Sequence, residues 1–174
     1  SWWILEGYQL ADSIEYMERA QGFVRGMEII DSSSIRSFGF SAILAPLFAL
    51  ADFFGVEDFK PIVSLVRCMQ ITLGLLLVRI TVRLGARLGG RSAGLAAGWF
   101  VGVNPVFLQY SVSPVSGIAA ALFVGHALEC LIERGHKKRA FQGGLWLGLA
   151  MIMAYQVMII TAPIIASKML SVGL

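Results

Sequence analysis

Charge is what this chain has least of. Only 14% of its 174 residues are Asp, Glu, Lys or Arg, against about 25% in an ordinary soluble domain. Together with 57% hydrophobic residues and a mean hydropathy of +0.75, that shortage argues against a soluble domain. Cysteine is nearly absent. Cys68 and Cys130 both fall within apolar runs, which argues against a structural disulfide and leaves no metal-ligand spacing. Walker A, dinucleotide-fingerprint, HExxH and GxSxG patterns are missing, so the common soluble-enzyme classes drop out. The chain opens on Ser1 with no signal-peptide pattern, and a segment ahead of Ser1, such as a first membrane helix, is expected.

Acids are scarce beyond residue 60. Residues 1–60 hold nine acids and four bases, whereas the remainder holds ten bases and two acids. The bases gather in short loops between apolar runs, a distribution that follows the positive-inside rule and carries no nucleic-acid signature.

What the chain does have is apolar length. A bilayer crossing needs about 20 apolar residues, and crossings are expected at 61–82, 92–110, 118–132 and 140–166. Arg79, Arg83, Arg87 and Arg91 close the first at i+4 steps. Loops 83–91 and 133–139 are expected on the cytoplasmic side, with the Ser/Pro-rich turn Ser111–Gly117 on the other. Ahead of these, 1–60 reads as one extracytoplasmic or interfacial region. It holds an amphipathic helix over Glu6–Gly26, with Ser13 or Asp12 as a possible cap, and a shorter apolar helix over Ile35–Phe54 that Pro46 would kink. Whether 35–54 spans or lies in the interface is left open by its length. The expected fold class is an all-α integral membrane protein, a polytopic helix bundle with an N-terminal amphipathic surface helix. Gly90, Gly94, Gly98 and Gly102 repeat every four residues, a stripe that lets helix backbones approach closely. It serves packing within the bundle or self-association. His126 and Glu129 share a helix face, which suggests a hydrogen bond between them or to another helix.

The order of features resembles a known family. Ile35-Arg36-Ser37-Phe38-Gly39-Phe40 and Ala45-Pro46 follow the acidic amphipathic stretch. Leu65-Val66-Arg67 opens a membrane helix. Arg87-Leu88-Gly89-Gly90-Arg91-Ser92-Ala93-Gly94-Leu95-Ala96-Ala97 closes it, and Asn104-Pro105 leads to Tyr110-Ser111. This resembles the N-terminal module of the GT-C glycosyltransferases, which include dolichol-phosphate-dependent mannosyltransferases and the oligosaccharyltransferase catalytic subunit.

The resemblance implies sugar transfer from a polyprenyl-phosphate donor at the extracytoplasmic face of a membrane, and a crossing ahead of Ser1; the simplicity of the chain suggests a bacterial inner membrane. It implies Glu6 or Asp12 as general base, since a hydroxyl needs its proton taken before it attacks. Arg36 and Arg67 become candidates for the donor phosphate, whose developing charge needs a cation. For Arg67 the alternative is snorkelling to headgroups or pairing with Glu57 or Asp58; for Asp12 it is a helix cap. In oligosaccharyltransferase-like members the turn corresponding to 111–117 carries acids that serve a divalent metal. Here it has three serines and no acid, so no metal is assigned. Membrane lipid and a lipid-phosphate sugar donor are the expected partners. The competing expectation is a catalytically silent subunit derived from such a module, packed against a larger membrane complex.

Overall fold

A computed structural model describes residues 11–26, 37–56, 59–132, 137–159 and 163. Every regular element among them is helical: α1 (Ala11–Arg25), α2 (Gly39–Phe53), α3 (Phe59–Gly102), α4 (Pro105–Val112), α5 (Ser116–Ile132) and α6 (Lys137–Met153).

In α1 the period of 3.6 puts Ser13, Tyr16, Met17 and Ala20 on one face, and all four are buried. Asp12, Glu18 and Arg25 lie exposed, and Glu15 pairs with Arg19 at 2.8 Å across one turn. The buried face meets α2 through an edge-on contact of Tyr16 with Phe40, centroids 5.2 Å apart. An amphipathic pattern read as lipid-facing is thus covered by protein along that stripe. Ser13 is no cap. Its hydroxyl is buried without a hydrogen-bond partner.

Pro46 lies inside α2 without ending it. The helix stops at Gly55, where φ is 65°. There Gly55 N–H donates to Asp52 O and Val56 N–H to Ala51 O, the paired bonds of a Schellman motif. Fifteen residues give a length of about 22 Å, short of the ~30 Å hydrocarbon core of a bilayer.

Gly90 divides α3. Its φ of 83° and ψ of 175° are non-helical, a conformation that glycine reaches without steric cost. The limb 91–102 doubles back along the limb 59–89. Gly94 lies against Val82 and Ala86, Gly85 against Gly94, and Gly98 against Val82 and Val78, so closely that a Cβ on any of these glycines would overlap its neighbour. Gly90 and Gly102, the outer members of the four-residue repeat, have open space where a Cβ would stand. One is the turn and the other ends the limb, so the packing falls on Gly94 and Gly98.

The run expected to cross over 92–110 breaks at Asn104. The Asn104 side chain accepts from Val106 N–H at 2.9 Å and Phe107 N–H at 3.2 Å, and Pro105 takes the first helical position, where its missing N–H costs nothing. Helix α4 then bends by 110° into α5. The run expected over 140–166 begins as α6 at Lys137, leaves helical geometry at Ala154 and turns at 155–156. The hydroxyl of Ser37, just ahead of α2, donates to the carbonyl of Met153 at that end.

The contacts fix directions. Gly74 of α3 meets Phe107 and Ser111 of α4. Along the same first limb of α3, Gln70 meets Val115, Ile80 meets Gly125, and Arg83 and Arg87 meet Glu129. Numbers rise together, so this limb and α5 run parallel. Helix α6 returns antiparallel, with Gly143 against Leu131 and Ala127. The core, built on Tyr16, Met17, Phe40, Leu44, Val66 and Met153, lies at the end remote from the arginines, where α1 and α2 also pack.

Among the described residues one helix, within α3, is long and apolar enough to cross a membrane, or two if α4 and α5 count as one broken span; only 28% of the α3 window is buried. Trp99 (70%), Phe100 (75%) and Leu88 (74%) stand exposed. Five hydroxyls donate to the carbonyl one turn back: Ser64, Thr72, Thr81, Ser111 and Ser113. That pattern satisfies a hydroxyl without water.

Candidate functional site

Two helices, α1 and α3, converge on the turn between α4 and α5. Ser111, Ser113, Pro114, Val115 and Ser116 are all buried there. The Gln70 amide donates to the carbonyls of Ser113 at 2.6 Å and Val115 at 2.8 Å. Tyr16 Oη and Ser116 Oγ share a hydrogen bond of 3.0 Å. An irregular turn leaves peptide groups unmatched, and buried carbonyls need donors. Gln70 supplies two from the middle of an apolar helix, while its own Oε1, like Ser13 Oγ and Ser41 Oγ, is buried without a partner.

Two of the expected site residues, Asp12 and Arg67, lie on the helices that bond to this turn. Asp12 is exposed in the first described turn of α1, one turn ahead of Tyr16. Arg67 is half-buried in α3, one turn ahead of Gln70. Glu6 and Arg36 lie outside the described residues, as do 133–136 of the second basic loop. Among the described residues no three His, Cys, Asp or Glu side chains gather as metal ligands. Cys68 and Cys130 are free thiols.

A second polar cluster sits at the opposite end. Glu129 is buried and binds Arg83 at 2.8 Å and Arg87 at 3.3 Å, and Arg87 also donates to the Glu129 carbonyl at 3.3 Å. The expected His126–Glu129 hydrogen bond gives way to this: His126 Nδ1 stands 4.0 Å from the carboxylate, beyond hydrogen-bond reach, and its ring stacks on Trp146 at 5.1 Å. Arginines read as a solvated basic loop are here half committed to a buried carboxylate. Sequence reasoning misses this pair; the signal available to it is a lone acid on an apolar helix with cations repeating one turn apart elsewhere.

Comparison of the chain with family models, with curated proteins and with solved structures returns no match.

Proposed function

We propose that this chain is a polytopic membrane module of GT-C type that handles a lipid-linked sugar phosphate at the end of the bundle bearing Asp12 and Arg67, with its arginine end on the cytoplasmic side of a bacterial inner membrane. One observation carries the reading. Tyr16 and Gln70 tie the helix of Asp12 and the helix of Arg67 to the same turn, so an acid and a cation flank one structural point far from the basic end. In the reaction the sugar's bond to the phosphate oxygen breaks as the acceptor oxygen bonds to the sugar carbon. The Asp12 carboxylate takes the acceptor proton, and Arg67 neutralises the phosphate that leaves. The uncovered apolar surface of α3 supports the membrane part.

The test is purification in mild detergent followed by mass analysis of bound lipid and an assay of sugar release. A bound polyprenyl phosphate that is lost in Arg67→Ala, with Asp12→Asn keeping the lipid but losing transfer, is the expected result. Retention of lipid and activity by both variants overturns the assignment. The catalytically silent subunit is the second reading, and one feature favours it: the turn at 111–117 carries no acid and is filled from within by Gln70 and Tyr16. Recovery in a stoichiometric complex with no lipid phosphate would establish it.

A further inference from the structure

An apolar groove of about 420 Å³ runs between the first limb of α3 and α5 and is capped by Ala154, Gln156 and Val157 beyond α6. Its volume lies in the range of small-ligand sites. Along α5 it extends from Gly117 to Leu128, about 16 Å at 1.5 Å per residue. The α5 wall is nearly bare, made by Gly117, Ala120, Ala121 and Gly125. Thr81 is the one hydroxyl on the α3 wall, and it is spent on the Leu77 carbonyl at 2.8 Å. The lining therefore offers little to a polar ligand and suits an alkyl chain.

One mouth of the groove decides which alkyl chain. Leu84 and Leu128 close that end and are the sequence neighbours of Arg83 and Glu129. Arg83 and Arg87 meet there on the one carboxylate of Glu129, two cations against one acid. Arg83 is 47% and Arg87 33% exposed, while Glu129 is 9% exposed, so the cations, not the acid, face outward. A negative headgroup complements that rim.

We propose that the groove holds one alkyl tail of an anionic phospholipid from the surrounding leaflet, with its phosphate on Arg87. The site rests on the membrane part of the function above and is independent of sugar transfer. The sugar-phosphate end lies at the other extremity of the same groove wall.

The experiment uses the full chain purified in nonionic detergent, with native mass spectrometry of retained lipid. The wild-type chain is offered phosphatidylglycerol, phosphatidylcholine with the same tails, glycerol phosphate, or a long polyprenyl phosphate. Phosphatidylglycerol is expected to bind at least tenfold more tightly than phosphatidylcholine, and glycerol phosphate not to bind. Arg87→Gln, in which Glu129 keeps Arg83, should lower phosphatidylglycerol affinity about tenfold, the worth of one charge-assisted hydrogen bond. Ala121→Phe should fill the groove and abolish retention. Equal binding of the two phospholipids or binding of glycerol phosphate alone would each overturn the proposal, and so would polyprenyl phosphate retention that is lost in Arg87→Gln but kept in Arg67→Ala. A chain recovered soluble without detergent would overturn the membrane reading instead.

Discussion

Replacing Glu129 by Gln keeps the side chain's shape and removes its charge, leaving Arg83 and Arg87 facing a neutral amide. Breaking a fully buried ion pair by deleting one partner costs about 3–5 kcal/mol. Here the acid is 9% exposed, but Arg83 and Arg87 are 47% and 33% exposed. Both guanidiniums can turn to water or headgroups, so the loss is discounted to about 2 kcal/mol. Arg87 alone also holds the Glu129 carbonyl at 3.3 Å, and Arg83 makes the shorter contact to the carboxylate. Arg83→Gln should therefore cost about 1 kcal/mol, and the pair Arg83→Gln with Glu129→Gln should cost clearly less than the sum of its parts, a coupling of about 1 kcal/mol. The assay is equilibrium unfolding in mixed micelles of rising dodecyl sulfate fraction, followed by circular dichroism. A Glu129→Gln chain within ~0.5 kcal/mol of wild type, the scatter of ordinary surface substitutions, would refute the claim that this cluster joins α5 to α3.

Three further outcomes follow from the same contacts. Gln70→Leu leaves the Ser113 and Val115 carbonyls without their donor and should cost about 2 kcal/mol in the same unfolding assay. Gly98→Leu drives a side chain into Val82 and should cost more than ~3 kcal/mol by overpacking, while Gly102→Ala, with open space around it, should stay within ~0.5 kcal/mol of wild type; a reversed order would remove the hairpin at Gly90. Asn104→Ala frees two amide groups at the start of α4 and should lower stability by about 1 kcal/mol, read as a fall in midpoint temperature.

Local chemistry was legible in the chain. The apolar runs marked α3, α5 and α6, the amphipathic pattern over Glu6–Gly26 marked α1, and the helix-breaking Gly55 marked the end of α2. Asn104-Pro105 carried a start signal inside an apolar run, and length outweighed it in placing a single helix over 92–110. What the chain did not disclose is long-range. Gln70 reaches residues 43 and 45 positions away, and nothing in its neighbours Met69 and Ile71 announces that. The arginine repeat reads equally well as a positive-inside loop or as partners for a distant acid, and only packing decides. Of the expected catalytic and phosphate-binding residues, Asp12 and Arg67 each lie one helical turn from the residue, Tyr16 or Gln70, that bonds to the 111–117 turn, and those tertiary hydrogen bonds are not written in the spacing.

The fold-back at Gly90 has a consequence for depth. The returning limb, residues 91–102, rises only about 18 Å before it stops, against the ~30 Å of a hydrocarbon core. In a bilayer the chain therefore loses its helical hydrogen bonds partway through, in a medium with no water to replace them. Asn104 answers for the amides there, and Gln70 for the carbonyls on the far side of α4. These two carboxamides take the place of a hydration shell, an anhydrous solvent carried within the sequence. Aliphatic residues at 70 and 104 would make the chain more hydrophobic by every index and, for that reason, less able to live in lipid.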